Sequence, residues 1–173
     1  IYTVALGEGF VASIKGEGEG HNWKGEYNTE WINSFGNARR ARGSYFPPSV
    51  KLTLLVGGYA RDETQGEYYA RAMNLRNRLT EQYDSVLKEF DVVAMPTTPM
   101  QPNQYKPDAD VFEFIADAWG NLANTSAFNM TGHPSISVPI RQAGSLPVGL
   151  MLTGTHFDDA TVLRAGQAAY TLN

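Results

Sequence analysis

The sequence predicts an α/β fold, and three observations carry the prediction. Apolar residues at spacings of three and four, Tyr68, Ala72, Leu75, Leu79, Tyr83, Val86 and Phe90, mark an amphipathic helix of roughly six turns with these side chains in the core. Directly after it, Asp91-Val-Val-Ala-Met95 reads as a short buried strand stopped by Pro96. Two further apolar runs, Ser135 to Ile140 and Val148 to Thr153, are strand candidates separated by the polar turn Arg141-Gln-Ala-Gly-Ser145. Helices alternating with short strands bury their apolar faces in layers.

The remaining elements follow in order. Val4, Ala5, Phe10, Val11 and Ile14 give the first 14 residues a helical pattern, interrupted by Gly7 and Gly9. Glycine spacing from Gly16 to Gly25 favours an irregular loop, and Tyr45-Phe-Pro-Pro48 marks a turn. Between them, Arg39, Arg40 and Arg42 form a small basic cluster expected to be solvated. Val50 to Tyr59 reads as a helix weakened by Gly57-Gly58 and broken at the charged Arg61-Asp-Glu63. Past Pro99, Pro102 and Pro107, Asp108 or Asp110 can cap a helix carrying Val111, Phe114, Ile115, Ala118 and Leu122. Asn124 to Pro134 predicts a short helix and a turn, and a last helix begins near Asp158 and runs through Val162, Leu163 and Tyr170.

Composition excludes several function classes. A chain of 173 residues with 42% hydrophobic residues is long enough for one domain with a real core. Its 18 acids and 14 bases form no run of one sign, so there is no footprint for nucleic acid or for an anionic membrane. With no cysteine, disulfides, thiolate metal sites and a cysteine nucleophile are excluded. No apolar run approaches the roughly 20 residues of a membrane span, and a cytoplasmic location is expected. The start, Ile1-Tyr-Thr-Val, lacks Met and is expected to lie inside a longer polypeptide. Small-molecule chemistry fits this composition better.

Local motifs do not supply that chemistry. In Gly16-Glu-Gly-Glu-Gly20 the glutamates would repel phosphate, and no Gly-Lys-Ser/Thr follows. His21, His133 and His156 contain no pair at the i, i+4 spacing by which a helix presents metal ligands. Asp158 and Asp159 beside His156 are better explained as a helix start, so no metal or other cofactor is expected. His133, between Gly132 and Pro134, either lines a cleft or bonds backbone in a turn. No Gly-x-Ser-x-Gly elbow is present, and Ser126, Ser135 and Ser137 have no base beside them in sequence.

Four segments nevertheless occur in a specific order: Met95-Pro-Thr-Thr-Pro99, Asn129-Met-Thr-Gly-His-Pro-Ser-Ile-Ser-Val-Pro139, Leu146-Pro-Val-Gly-Leu-Met-Leu152 and His156-Phe-Asp-Asp-Ala-Thr161. This set resembles the C-terminal part of the amidase signature family. Residues from about 91 to 170 carry the resemblance, and residues 1 to 90 resemble the preceding segment more loosely. Locally, Gly132 would permit a tight backbone path, Pro134 and Pro139 would bracket a strand, and Asn129 would satisfy backbone groups at a turn.

The resemblance implies the C-terminal part of an α/β/α layered amidase signature fold with a mixed sheet, incomplete in this chain. The whole of residues 1–173 would be one portion of a single amidase domain. It also implies hydrolysis of a carboxylic amide to acid and ammonia by a Ser-Ser-Lys mechanism. No position here matches those three groups, so no catalytic residue is assigned, and the chain alone is expected to be inactive. By the same resemblance Trp119, Asn124, Thr125, Phe128 and His133 are candidates for one wall of the substrate pocket, with core packing the competing role of Trp119 and Phe128.

Leu122 and Ala123 stand where amidotransferase relatives tend to place an acid, and Thr-Gly-His-Pro after Ala-Phe is closer to bacterial amidases acting on simple aliphatic or aromatic amides. The expected partners are a small-molecule amide and the N-terminal portion of the same enzyme. Few strands set against several amphipathic helices predict exposed apolar surface, with a homo-oligomer as one form of cover. Two alternatives stay open: a non-catalytic amidase-like binding or interaction module, and an amidotransferase A-type subunit.

Overall fold

The computed structural model describes residues 1–20, 24–140, 146 and 148–172, and its contacts divide into two units, Ile1–Met73 and Asn74–Asn173. His21 and the expected turn at 141–145 lie outside the described residues.

The first unit is helical. It contains α1 (Tyr2–Lys15), α2 (Thr29–Ala41), a 3₁₀ turn (Gly43–Tyr45), α3 (Pro48–Thr64) and the beginning of α4 (Glu67–Leu87). Helices α1 and α3 pack on each other where Gly7 meets Gly57, and a Cβ on Gly57 would land on the Gly7 carbonyl. The glycines expected to weaken these helices therefore let their backbones approach.

Helix α2 was not legible in the sequence, although its signal is local: Asn28 Oδ1 accepts from Trp31 N at 2.9 Å as an N-cap. At its far end the arginines are not simply solvated. Arg39 clamps Glu17 with two hydrogen bonds of 2.6 Å, and Arg40 adds a third at 3.0 Å. The break expected at Arg61-Asp-Glu63 does not occur there. Pro47 and Pro48 start α3, charged residues continue it, and it ends at Gln65, whose φ of 52° leaves the helical region.

The second unit holds the rest of α4, β1 (Val92–Pro96), α5 (Val111–Gly120), α6 (Ala123–Thr131), β2 (Ser135–Ile140), β3 (Val148–Gly154) and α7 (Asp159–Thr171). The sheet order is β1-β3-β2, and both pairings are antiparallel. No parallel pair, as a mixed sheet requires, occurs among the described strands. Met151 of central β3 stands opposite both Met95 and Ser137, and Met151, Leu152 and Thr153 are buried. Helix α7 covers the sheet through Val162 and through Gly166, which admits Ile136 and Val138.

Caps fix the helix starts of this unit. Asp110, not Asp108, caps α5 in a reciprocal capping box with Glu113, and Asp158 accepts from Thr161 N at 3.3 Å to start α7. The α4 stripe departs from expectation, because only part of it is core. Ala72 is buried and Leu79 and Tyr83 are half-buried, but Tyr68 (53%), Leu75, Val86 and Phe90 (60%) are exposed. Periodicity reports which face is apolar, and burial also needs a neighbour to cover that face.

Candidate functional site

The motif-bearing segments converge where α6 meets the sheet. Gly132, at φ 79°, turns the chain out of α6, and Pro134 leads it into β2. Across this corner lies a cavity of about 350 Å³ lined by Thr97, Thr125, Phe128, Asn129, His133, Ser135, Ile136, Ser137 and Met151. Phe128, Ile136 and Met151 give it apolar surface, while the hydroxyls and His133 give it polar edges.

Three of the five predicted pocket residues, Thr125, Phe128 and His133, meet in this lining. Phe128 is also core, buried with its ring 5.0 Å from that of Tyr83. Asn124 lies outside the lining; its amide donates to the Pro96 carbonyl at 2.7 Å and ties the start of α6 to the end of β1. Trp119 is half-buried on α5 and does not line the cavity. Sequence reasoning missed Thr97 and Ser137, which share a 2.6 Å hydrogen bond across 40 residues, and Met151 on the central strand. Only the strand register brings these groups together.

Among the described residues, the hydrogen-bond partners of the Ser126, Ser135 and Ser137 hydroxyls are not bases. Ser126 donates to the Ala123 carbonyl, Ser135 pairs with the Thr153 hydroxyl at 2.8 Å, and Ser137 pairs with Thr97. Such bonds hold a hydroxyl but do not raise its nucleophilicity.

At the edge of the cavity, His133 is buried. Its Nδ1 lies 2.8 Å from Thr131 Oγ1 and its Nε2 lies 3.2 Å from Asp84 Oδ1. Burial pushes its imidazole below the ordinary histidine value, the charge of His156 acts in the same direction, and the hydrogen bond with Asp84 opposes both. The His156 ring stands 3.9 Å from that of His133; its Nε2 donates to the Thr131 carbonyl at 2.9 Å and its Nδ1 lies 3.4 Å from Asp84 Oδ1. A left-handed Phe157, φ 64°, leaves its own ring exposed just after His156. Asp84, His133 and His156 are thus a group of metal-ligand type drawn from three separate elements. Asp158, the partner weighed for His156 in the sequence, is occupied as a cap, and hydrogen bonds from Thr161 hold its carboxyl below the usual range.

Residues 23–163 match the family model described as Amidase. The chain belongs to the amidase family. The match begins well before residue 91, so it also takes in most of the segment whose resemblance was looser.

Among its relatives are a Rhodococcus erythropolis protein described as an uncharacterized protein in the nthA 5′ region, 40% identical over 96% of this chain and 84% of that one, and an enantioselective amidase of Rhodococcus rhodochrous, 34% identical. The A-type subunit of a glutamyl-tRNA(Gln) amidotransferase from Haloarcula marismortui is 33% identical. This amidase-family chain spans 32% of the R. rhodochrous enzyme and 38% of the Haloarcula protein. The crystal structure of the corresponding glutamyl-tRNA(Gln) amidotransferase subunit from Thermotoga maritima shares the fold at a TM-score of 0.50 and 24% identity, over 79% of this chain and 29% of that one.

Proposed function

We propose that this chain is the C-terminal portion of a single amidase domain and supplies one wall of the pocket in which a carboxylic amide is hydrolysed to acid and ammonia. The observation that carries the reading is the cavity at the α6–β2 corner, where Thr125, Phe128 and His133 meet. Phe128, Ile136 and Met151 would hold the aliphatic or aromatic acyl group, and the hydroxyls and Asn129 would face the polar carboxamide.

The bond-breaking groups come from upstream sequence in this reading. A serine oxygen attacks the carbonyl carbon, the C–N bond breaks, ammonia leaves with a proton relayed by lysine and the second serine, and water releases the acid. The expected location is the cytoplasm; no described helix is long and apolar enough to cross a membrane.

The test compares the chain alone with the chain joined to its upstream region on a panel of primary amides. Hydrolysis by the joined form only is the expected result. Serine-reagent-sensitive hydrolysis by the isolated chain would overturn the claim that the catalytic groups lie elsewhere.

A second reading, a non-catalytic module on the same scaffold, is favoured by one relative: 84% of the R. erythropolis protein is covered by this chain. It predicts no amide turnover in either form. An amidotransferase A-type subunit, the role named for the Haloarcula relative, would show turnover dependent on partner subunits and ATP.

A further inference from the structure

We infer that Asp84, His133 and His156 form a binding site for one divalent transition-metal ion of the zinc type. Imidazole and carboxylate together suit such an ion, and one ligand atom from each residue lies within 4.8 Å of the other two. Asp84 Oδ1 stands 3.2 Å from His133 Nε2 and 3.4 Å from His156 Nδ1. Tetrahedral ligands about 2.0–2.1 Å from zinc stand about 3.3 Å from one another, which both Asp84 separations match, while the two histidine nitrogens lie within 4.8 Å of each other.

The hydrogen bonds behind the site point to a cation. His156 Nε2 donates to the Thr131 carbonyl, so Nδ1 is the nitrogen turned toward the Asp84 carboxylate. A ring nitrogen and a carboxylate oxygen 3.4 Å apart leave a position between them that suits a cation. On the other ring, Thr131 Oγ1 can accept from His133 Nδ1 and leave the Nε2 lone pair toward Asp84. One residue thus fixes the outer nitrogens of both imidazoles, as backbone and hydroxyl groups do behind metal-bound histidines.

Access and space agree with this reading. His133 is buried, but His156 and Asp84 keep 29% and 41% of their side-chain surface, so solvent reaches the side from which an ion and a water ligand would enter. The ion would clip α4, the turn before β2 and the turn before α7, three segments joined by no other covalent or ionic link among the described residues.

Chelator-treated full chain is titrated with zinc chloride by calorimetry, and its thermal unfolding is followed with and without the ion. One equivalent is expected to bind and to raise Tm. Asp84→Asn and His156→Gln should each weaken binding by at least about tenfold with unchanged far-ultraviolet circular dichroism, and Thr131→Val should weaken it by about tenfold. Cobalt(II) should give the visible band of a four-coordinate site, absent in Asp84→Asn. A wild-type chain that binds no zinc would mean that a proton alone bridges the cluster, and the inference falls. Binding of equal strength in wild type and both variants would place the ion elsewhere and overturn it equally.

Discussion

The two units are held by different physics. In Ile1–Met73 two helix backbones meet at Gly7 and Gly57, and Arg39 and Arg40 grip Glu17. In Asn74–Asn173 a three-stranded sheet supplies the frame, and α7 and Phe128 fill the space beside it. The sheet fixes positions through a hydrogen-bond register, so hydroxyls 40 residues apart meet at 2.6 Å. A register-fixed frame holds side chains in set positions, and the cavity lies in this unit.

The largest effect is expected in the sheet unit. Phe128→Ala removes a buried ring packed against Tyr83, and losses of this type cost about 3–5 kcal/mol. Urea unfolding followed by circular dichroism should show it, and hydrogen exchange should place the lost protection in β2 and β3 rather than in α1 and α3. A loss spread evenly over both units would break the distinction between them. Next comes Gly57→Ala, which gains about 1 kcal/mol in helix propensity yet forces a methyl group against the Gly7 carbonyl. Overpacking costs about 1–3 kcal/mol, so net destabilisation is expected, with exchange rising in α1 and α3 and unchanged in β3. A stabilised variant would mean that the glycines are not needed for close approach.

The same contrast explains what could be read from the sequence. Strand runs, the Asp110 and Asp158 caps and the turn at Gly132 are local signals, and each stands in the structure. The loss of the α4 stripe from the core was not legible, because no pattern states whether an apolar face has a neighbour. Thr125, Phe128 and His133, singled out through their motif, line one cavity, but Thr97 and Ser137 join them only through the register of β1 and β2 with β3. The Asp84–His133–His156 group was hidden for the same reason: a search for paired ligands on one helix cannot see residues brought together by three elements. Arg39 and Arg40 read as solvated until the fold supplied Glu17, 22 and 23 positions away.

That ion pair gives the smallest expected effect and sharpens the comparison through pH. The hydrogen bonds from Arg39, with help from Arg40, hold the Glu17 carboxyl at about 2, well below its ordinary 4.5. A carboxyl whose pKa is lower in the folded chain binds fewer protons there than in the unfolded chain. Its contribution is therefore fully present above about pH 4.5 and fades as pH falls toward about 2. Solvent beside the pair screens it, so its contribution is modest. Glu17→Gln removes the titrating group, and the gap in urea midpoint between wild type and variant should narrow across this window. Exchange protection lost on acidification should concentrate at the end of α1 and in α2, where the arginines reach Glu17. A gap that stays constant from pH 5 to about 2 would show that the carboxylate charge contributes nothing.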